Sequence, residues 1–188
     1  NYINKYSIAV KFPSEVKETV FLGYTYEVGQ NGNITPMIPY NPVEFNGTIH
    51  TKSSGSSLKR FNDLALKVGD YISVAYRNDV MPYVSRIECQ HNRDNPNPVV
   101  QIIENCPICG SKLLVSDTGN VLYCPNQECP GRSRQRMVNM FQKMNIKGFA
   151  DSAIAALNIS HLYEIEGMTE KWLVDTLGQA DGKSFYSI

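Results

Sequence analysis

Short apolar segments separated by turn-forming residues occupy the first hundred positions of the chain. β-branched and aromatic side chains dominate these segments, which predict strands at residues 7–10, 19–22, 24–28 and 71–76. Turn-forming residues lie between them at positions 29–32, 46–47 and 68–70. Apolar positions between residues 57 and 66 recur at helical spacing and predict one short helix. This pattern favours a small closed β-barrel over an alternating βαβ fold.

Three features of this part of the chain predict interruptions. Prolines at positions 13, 36, 39, 42 and 82 exclude long helices and favour barrel edges or the starts of strands. Residues 53–57 (Ser-Ser-Gly-Ser-Ser) have the composition of a flexible loop. Residues 92–98 contain two prolines and several turn formers, so they predict a linker with neither strand nor helix.

The pattern becomes helical after Arg132. Apolar residues recur at spacings of three and four, which predicts a helix that packs one apolar face: Met137, Met140, Phe141 and Met144. Two more helical segments follow at residues 151–157 and 169–177. Asp151 and Thr169 are suitable N-cap residues for them.

Composition narrows the class of protein only slightly. The 188 residues allow one ordinary domain or two to three small ones, and 42% hydrophobic with 19% charged residues is typical of a globular chain. No apolar run approaches the ~18 residues that span a bilayer, and the first residues lack the apolar core of a signal peptide. The sequence therefore predicts a cytoplasmic protein with no membrane partner.

The zero net charge is a sum over unlike segments. Residues 104–147 carry six basic and three acidic side chains, whereas residues 148–188 carry two basic and six acidic ones. Arg132, Arg134 and Arg136 concentrate positive charge in the first of these segments, where they could bind phosphates. An ordinary solvated helix surface explains the same charges equally well.

The strongest local signal is a set of four cysteines, spaced C-x2-C and C-x4-C on either side of fourteen residues: Cys106, Cys109, Cys124 and Cys129. Four thiolates in two tight loops suit tetrahedral Zn²⁺, and they leave no open position for a catalytic water, so the predicted ion is structural. Gly110 suits the positive φ that such a loop requires, and the intervening residues predict a hairpin. Two disulfides or an iron–sulfur cluster are the alternatives. Cys89 is predicted to be an ordinary thiol.

In their order along the chain, these segments resemble the NAD-dependent (bacterial-type) DNA ligases. Four stretches carry the resemblance: residues 8–13 (Ile-Ala-Val-Lys-Phe-Pro), residues 26–36 with Pro42-Val43, residues 68–84 with Asn78-Asp79-Val80-Met81-Pro82, and the four cysteines with Cys129-Pro130-Gly131. The segments at 146–149 (Ile-Lys-Gly-Phe) and 165–168 (Ile-Glu-Gly-Met) are similar to the start of that family's helix-hairpin-helix domain.

The resemblance implies a multidomain fold class: an all-β OB-fold barrel, a small four-cysteine zinc finger and an α-helical helix-hairpin-helix segment. The implied domains are the last strand of the nucleotidyltransferase domain (1–12), the OB fold (13–91), a linker (92–103), the zinc finger (104–131) and a partial helix-hairpin-helix domain (132–188). The implied function is that of a subunit or fragment of an NAD-dependent DNA ligase, which binds nicked duplex DNA and supports phosphodiester-bond formation in replication and repair.

The resemblance also implies roles for individual residues. Lys11 matches the motif lysine that contacts the nucleotide phosphate and is the implied catalytic residue. The implied DNA contacts are Asn31, Arg77, Val80, Met81, Arg134 and Arg136. Structural Zn²⁺ is the implied metal, and NAD and Mg²⁺ act through the complete ligase. The implied partners are nicked double-stranded DNA and a chain carrying the adenylation domain, or the N-terminal half of the ligase.

Several positions depart from the family pattern. The nucleophilic Lys-x-Asp-Gly motif is absent, so this chain is not expected to adenylate on its own. The turn at 29–32 reads Gly-Gln-Asn-Gly where the family commonly has Gly-Arg-Thr-Gly, and Tyr76 stands at a common arginine position. A non-catalytic DNA-binding clamp is therefore the main alternative function, and a zinc-ribbon protein that docks other proteins is a third.

Overall fold

A computed structural model describes residues 15–55, 57–77, 81–144, 151–157, 159, 162–178 and 182–183. The chain divides into two compact units. The first unit comprises residues 1–25, 37–55 and 63–100, and the second comprises residues 26–36, 56–62 and 101–188. The predicted strand at 7–10, Lys11 and Val80 lie outside the described residues.

Antiparallel strands build the first unit. They are β1 (Val16–Val20), the later part of β3 (Asn33–Phe45), β4 (Thr48–Ser54), β5 (Tyr71–Arg77) and β6 (Met81–Arg86). β5 pairs with β1 on one side and with β6 on the other, while β4 pairs with β3. Phe21 just after β1 bridges Tyr40 of β3, and the Ser53 hydroxyl of β4 donates to the carbonyl of Pro82 in β6 at 2.6 Å. These contacts lead from β1 through β5, β6, β4 and β3 back to β1.

One apolar core fills the space between these strands. Phe21, Ile38, Tyr40, Phe45 and Ile72 are almost completely buried in it. Burying large apolar side chains of this kind contributes roughly 1.5–3 kcal/mol each relative to exposure. The first unit is therefore held together mainly by this core rather than by surface charges.

The long strand β3 is a feature that the sequence pattern did not predict. It passes through Pro36, Pro39 and Pro42, and its pairing with β4 shifts register between Pro39 and Val43. Burial alternates up to Tyr40 and resumes one position out of phase at Val43. Because proline cannot donate to a ladder, the prolines suit a strand only where a bulge or an edge removes that requirement.

Parts of the predicted flexible loop (53–57) and of the predicted linker (92–98) belong to regular secondary structure. Ser53 and Ser54 belong to β4 rather than to a flexible loop, and Ser53 is buried. The predicted linker begins inside a short helix, α2 (Gln90–Asp94), so the prediction of no helix there is wrong. The buried Asn92 side chain accepts from the Tyr71 amide at 2.7 Å and donates to the carbonyls of Tyr71 (2.8 Å) and Ile87 (2.7 Å). It thus satisfies backbone groups that would otherwise be buried without partners.

The second unit combines a small sheet with helices. The sheet contains β2 (Thr25–Val28, from Tyr26 onward in this unit), the first residues of β3, β7 (Leu114–Val115) and β8 (Leu122–Tyr123), in the order β2-β3-β8-β7. The helices are α3 (Pro130–Lys143), α4 (Asp151–Leu157) and α5 (Glu170–Leu177), with a 3₁₀ turn at Leu162–Ile165. Helix α1 (Leu58–Leu64), predicted at 57–66, contributes its first residues to this unit.

A shared apolar core holds the three long helical segments together. α3 contributes Met137, Val138 and Phe141, α4 contributes Ile154 and Leu157, and α5 contributes Leu173. Met144 is 61% exposed at the C-cap of α3, so its predicted place on the buried face is wrong. Thr169 caps α5 as predicted, because its hydroxyl accepts from the Trp172 amide at 3.3 Å. Within the described residues, none of these helices is long and apolar enough to cross a membrane.

We expect Asn92→Ala to lower the free energy of unfolding by about 2–3 kcal/mol, because it leaves buried backbone groups of Tyr71 and Ile87 without partners. Urea denaturation, monitored by far-ultraviolet circular dichroism, measures this loss. Asn41→Ala, at an exposed position of the same unit, is the control and should change stability by less than about 0.5 kcal/mol. Equal effects from the two substitutions would contradict the role given to Asn92.

Candidate metal centre

The second unit brings the four predicted cysteines together from separate elements. Cys106 and Cys109 lie in the loop before β7, Cys124 follows β8 and Cys129 immediately precedes α3. Gly110 has φ +73°, as predicted, and its amide donates to the Cys106 carbonyl at 2.9 Å. The Cys106 amide in turn donates to the Ser111 carbonyl at 2.8 Å. The backbone is therefore folded tightly around the first cysteine pair.

The four sulfur atoms have the spacing that a tetrahedral metal requires. All four Sγ atoms lie within 4.8 Å of one another. The distances are 3.5 Å between Cys109 and Cys124 and 3.9 Å between Cys106 and Cys129. Bonds of about 2.3 Å to one zinc ion would separate tetrahedral sulfur ligands by about 3.8 Å. The thiols are free rather than paired in disulfides, so the cluster can hold one metal ion such as zinc.

The chemical environment of the thiols differs across the cluster. Ser111 Oγ lies 3.4 Å from Cys109 Sγ, and its hydrogen bond to the thiolate lowers the pKa of Cys109 to about 6. Burial raises the pKa of Cys124 to about 12 and also raises the pKa of Cys129. A divalent cation must therefore displace protons from the two buried thiols when it binds.

A turn distant in sequence supports the second cysteine pair. Residues 29–32 connect β2 to β3, and the Cys124 amide donates to the Gly32 carbonyl at 2.9 Å. Gly32 has φ +86°, and a Cβ at this position would lie 2.7 Å from the Cys124 carbonyl oxygen. Only glycine fits both the backbone conformation and this close approach. The sequence marks residue 32 as a turn glycine but carries no signal of its contact with the cysteine loop.

The three arginines that follow the last cysteine have different environments. Arg132 is only 7% exposed, and its Nη1 donates to the carbonyls of Cys124 (3.3 Å) and Asn126 (3.4 Å). Arg134 is partly exposed and Arg136 is exposed on α3. Arg132 is thus an internal residue of the cysteine region, whereas Arg134 and Arg136 remain accessible to a ligand.

Asn31 lies beside a polar groove, although the sequence did not predict a groove there. The groove has a volume of about 360 Å³ and lies between the 29–32 turn and α3. We call it the amide groove; its polar side chains are Glu27, Gln30, Asn31, Asn33, Thr35, Gln135 and Asn139. The Asn139 side-chain amide donates to Gln30 Oε1 at 2.8 Å, and Gln135 Nε2 donates to Asn139 Oδ1 at 3.1 Å. Asn31 itself is exposed.

The other predicted contact residues belong to the first unit. Arg77 and Met81 face each other in register at the adjoining ends of β5 and β6. Val80 and Lys11, also predicted as site residues, lie outside the described residues. The structure therefore brings the four cysteines together in one cluster. Arg77 and Met81 are paired elsewhere, at the ends of β5 and β6. Asn31, Arg134 and Arg136 lie on the 29–32 turn and on α3 of the second unit.

Three of the curated proteins that are similar in sequence to this chain share one name. No protein-family model matches the chain. A protein named DNA ligase from Lacticaseibacillus casei (strain BL23) is 31% identical over 162 residues, which is 85% of this chain and 24% of the relative. A DNA ligase from Prosthecochloris aestuarii is 27% identical over 94% of this chain. A DNA ligase from Prochlorococcus marinus is 28% identical over 86% of this chain.

Most of this chain is similar in sequence to part of a DNA ligase. The resemblance to DNA ligases that the sequence motifs indicate is confirmed at this level. The chain spans about a quarter of the length of the curated relatives that it matches. The dependence on NAD, the predicted domain boundaries and the predicted site residues stay predictions.

We expect metal affinity to rise steeply with pH. Because binding displaces protons from the buried thiols Cys124 and Cys129, affinity should increase by at least roughly a hundredfold per pH unit near neutrality, about tenfold for each of these two protons. Competition with a chelator of known affinity at several pH values measures this slope. Cys89→Ser, which removes the cysteine outside the cluster, should leave it unchanged. A pH-independent affinity would contradict the assignment of these thiols as ligands.

Gly32→Ala should destabilise the second unit and weaken metal binding. The added Cβ meets the Cys124 carbonyl oxygen, so we expect a loss of roughly 2–5 kcal/mol from steric clash together with backbone strain. Gly119→Ala is the matched control, since Gly119 also has positive φ (+72°) but has no atom near its Cβ position. It should cost only about 1–2 kcal/mol from the backbone alone. Thermal unfolding measures the stability of both variants, and chelator-induced metal release measures how firmly each holds the metal. Equal losses of stability in Gly32→Ala and Gly119→Ala would rule out the proposed contact between residue 32 and the Cys124 carbonyl.

Proposed function

We propose that this chain is part of an NAD-dependent DNA ligase, as a subunit or a fragment, and that it binds nicked duplex DNA in the cytoplasm. The main support is sequence similarity to proteins named DNA ligase over most of the chain. The cysteine cluster lies within that matching portion, and its geometry suits one structural zinc ion. Within the ligase, the role that we propose for this chain is to hold the nicked duplex DNA.

The arrangement of the first unit supports an OB fold at residues 13–91. Its strands follow the order β1, β3, β4, β6 and β5 around one core, with α1 between β4 and β5 along the chain. A five-stranded, partly open barrel of this kind is a frequent nucleic-acid-binding fold. We propose a zinc finger at residues 104–131 and a partial helix-hairpin-helix domain at residues 132–188, with residues 92–103 connecting them to the barrel.

The chemistry of the complete ligase would be shared between chains or domains. In this proposal, Lys11 contacts the nucleotide phosphate and stabilises charge during transfer of the adenylyl group. NAD and Mg²⁺ act through an adenylation domain that carries the Lys-x-Asp-Gly motif, which this sequence lacks. The zinc ion would be structural, since four thiolates occupy every tetrahedral position and leave none for water.

The proposed DNA-binding surface relies on local rather than total charge. Residues 104–147 have a net positive charge, and the partly exposed Arg134 and the exposed Arg136 carry part of it on α3. Asn31, Arg77, Val80 and Met81 are the other proposed contacts. Such contacts to phosphates and the minor groove would hold a nick without reading its sequence.

A non-catalytic clamp is the alternative, because the same surfaces would bind DNA without supporting ligation. Mixing this chain with a separately expressed adenylation domain of the family and measuring NAD-dependent nick sealing distinguishes the two functions. Sealing that requires both chains supports a ligase part, and Lys11→Ala should then abolish sealing while leaving DNA binding intact. Tight DNA binding with no sealing would sink the ligase proposal and leave the clamp.

We expect Arg134→Ala and Arg136→Ala each to weaken binding to nicked duplex DNA and to reduce the salt dependence of the affinity. Each lost phosphate contact should lower the magnitude of the slope of log K against log salt by about 1. Fluorescence anisotropy at several salt concentrations measures this slope. Arg93→Ala, at an exposed arginine outside the proposed surface, is the matched control and should behave as the unaltered chain does. If all three variants keep the original slope, α3 does not contact DNA.

A further inference from the structure

Arg132 is a buried cation whose environment demands an explanation. It is 7% exposed, and two carbonyl oxygens, those of Cys124 and Asn126, accept from its Nη1. Among the described residues, no group accepts a hydrogen bond from its Nε atom and no carboxylate forms an ion pair with it. Burying a guanidinium without a compensating negative charge is costly. A negative charge close to Arg132 would offset this cost.

The metal-loaded cysteine cluster supplies such a charge. One divalent cation and four thiolates sum to a charge of about −2, and the cluster is largely buried. Arg132 follows the ligand Cys129 by one helical turn, and its amide donates to the Cys129 carbonyl at 2.9 Å. Its side chain reaches the carbonyl of a second ligand, Cys124. Arg132 thus joins the two cysteines of the C-x4-C pair and offsets the charge of the loaded site.

The same guanidinium also lies directly against the 29–32 turn. A Cβ built on Gly32 would be 3.1 Å from Arg132 Nη1 and 2.7 Å from the Cys124 carbonyl oxygen. The Cys124 amide donates to the Gly32 carbonyl at 2.9 Å. Further along α3, Asn139 donates to the Gln30 side chain at 2.8 Å. Helix α3 therefore holds this turn at two points, and one of them depends on the position of Arg132.

We propose that Arg132 is a positioning residue that couples metal occupancy to the conformation of the 29–32 turn, and thereby to the shape of the amide groove. When the metal binds, the charged cluster fixes Arg132 between Cys124 and Gly32, and the turn packs against it. When the metal leaves, Arg132 loses its compensating charge and the turn loses one of its two anchors. The consequence for DNA contact through Asn31 rests on the proposed function, whereas the coupling itself does not.

Hydrogen exchange of the backbone amides tests the coupling without DNA and without enzymatic activity. The informative amides are Gly32, which donates to the Gly29 carbonyl at 2.8 Å, and Cys124, which donates to Gly32. Exchange is measured on the purified full chain with zinc and after chelation. Val138 and Phe141 in the helical core of the second unit, and Ile72 in β5, serve as internal references.

Arg132→Met and Arg136→Met form a matched pair on one helix, the first removing a buried arginine and the second an exposed one. In zinc-loaded Arg132→Met we expect exchange at Gly32 and Cys124 to rise about fivefold, the factor for one lost hydrogen bond. Zinc dissociation should accelerate about tenfold, as for other groups that support metal ligands. Exchange at Val138 and Phe141 should stay unchanged, since a general loss of stability would raise it as well. Arg136→Met should match the unaltered chain in all three measurements.

Arg132→Lys provides a second variant in case Arg132→Met does not fold. Lysine keeps the positive charge but lacks the planar guanidinium whose Nη1 donates to both carbonyls, so zinc release should be closer to that of the unaltered chain while exchange at Gly32 still rises. Unchanged exchange at Gly32 in a zinc-loaded variant would overturn the proposal. So would unchanged exchange at Gly32 in the unaltered chain after chelation, whichever variants fold.

Discussion

The second unit depends on the convergence of four thiols within 4.8 Å of one another. Thiolates this close repel one another, and burial raises the pKa of Cys124 and Cys129. A divalent cation removes both penalties at once, because it replaces the protons and neutralises the repulsion. The strands beside the cluster, β7 and β8, contain two residues each and could not form a stable sheet alone. A metal ion bound here would therefore supply folding energy that the apolar core of this region lacks.

The position of the ligands explains why one ion can organise so many elements. Cys124 follows β8, which pairs with the start of β3, and Cys129 precedes α3, which packs against α4. Through Cys124 and Arg132 the cluster also contacts the turn at Gly32. Sheet, turn and helix thus meet at one centre. A surface built from the turn and α3 can thereby keep a defined shape on a unit with little sheet.

Local signals in the sequence predicted the parts of the molecule that depend on neighbouring residues. Cysteine spacing, the positive φ of Gly110 and the cap at Thr169 all belong to this class. Features that depend on distant residues were missed. Helix α2 occurs because Asn92 bonds to Tyr71, and β3 passes its prolines because a bulge shifts the register. Arg132 counts as surface charge in the sequence, whereas its burial against Gly32 follows only from the fold.

Metal analysis of the purified chain tests the central claim most directly. Native mass spectrometry combined with elemental analysis should find one zinc ion per chain, which Cys124→Ser removes and Cys89→Ser retains. Near-ultraviolet circular dichroism of the same samples should show that ordered packing around the cysteine cluster, which includes Tyr26, is lost when the zinc is removed. A chain that keeps this packing without any metal, or that binds iron in place of zinc, would contradict the account.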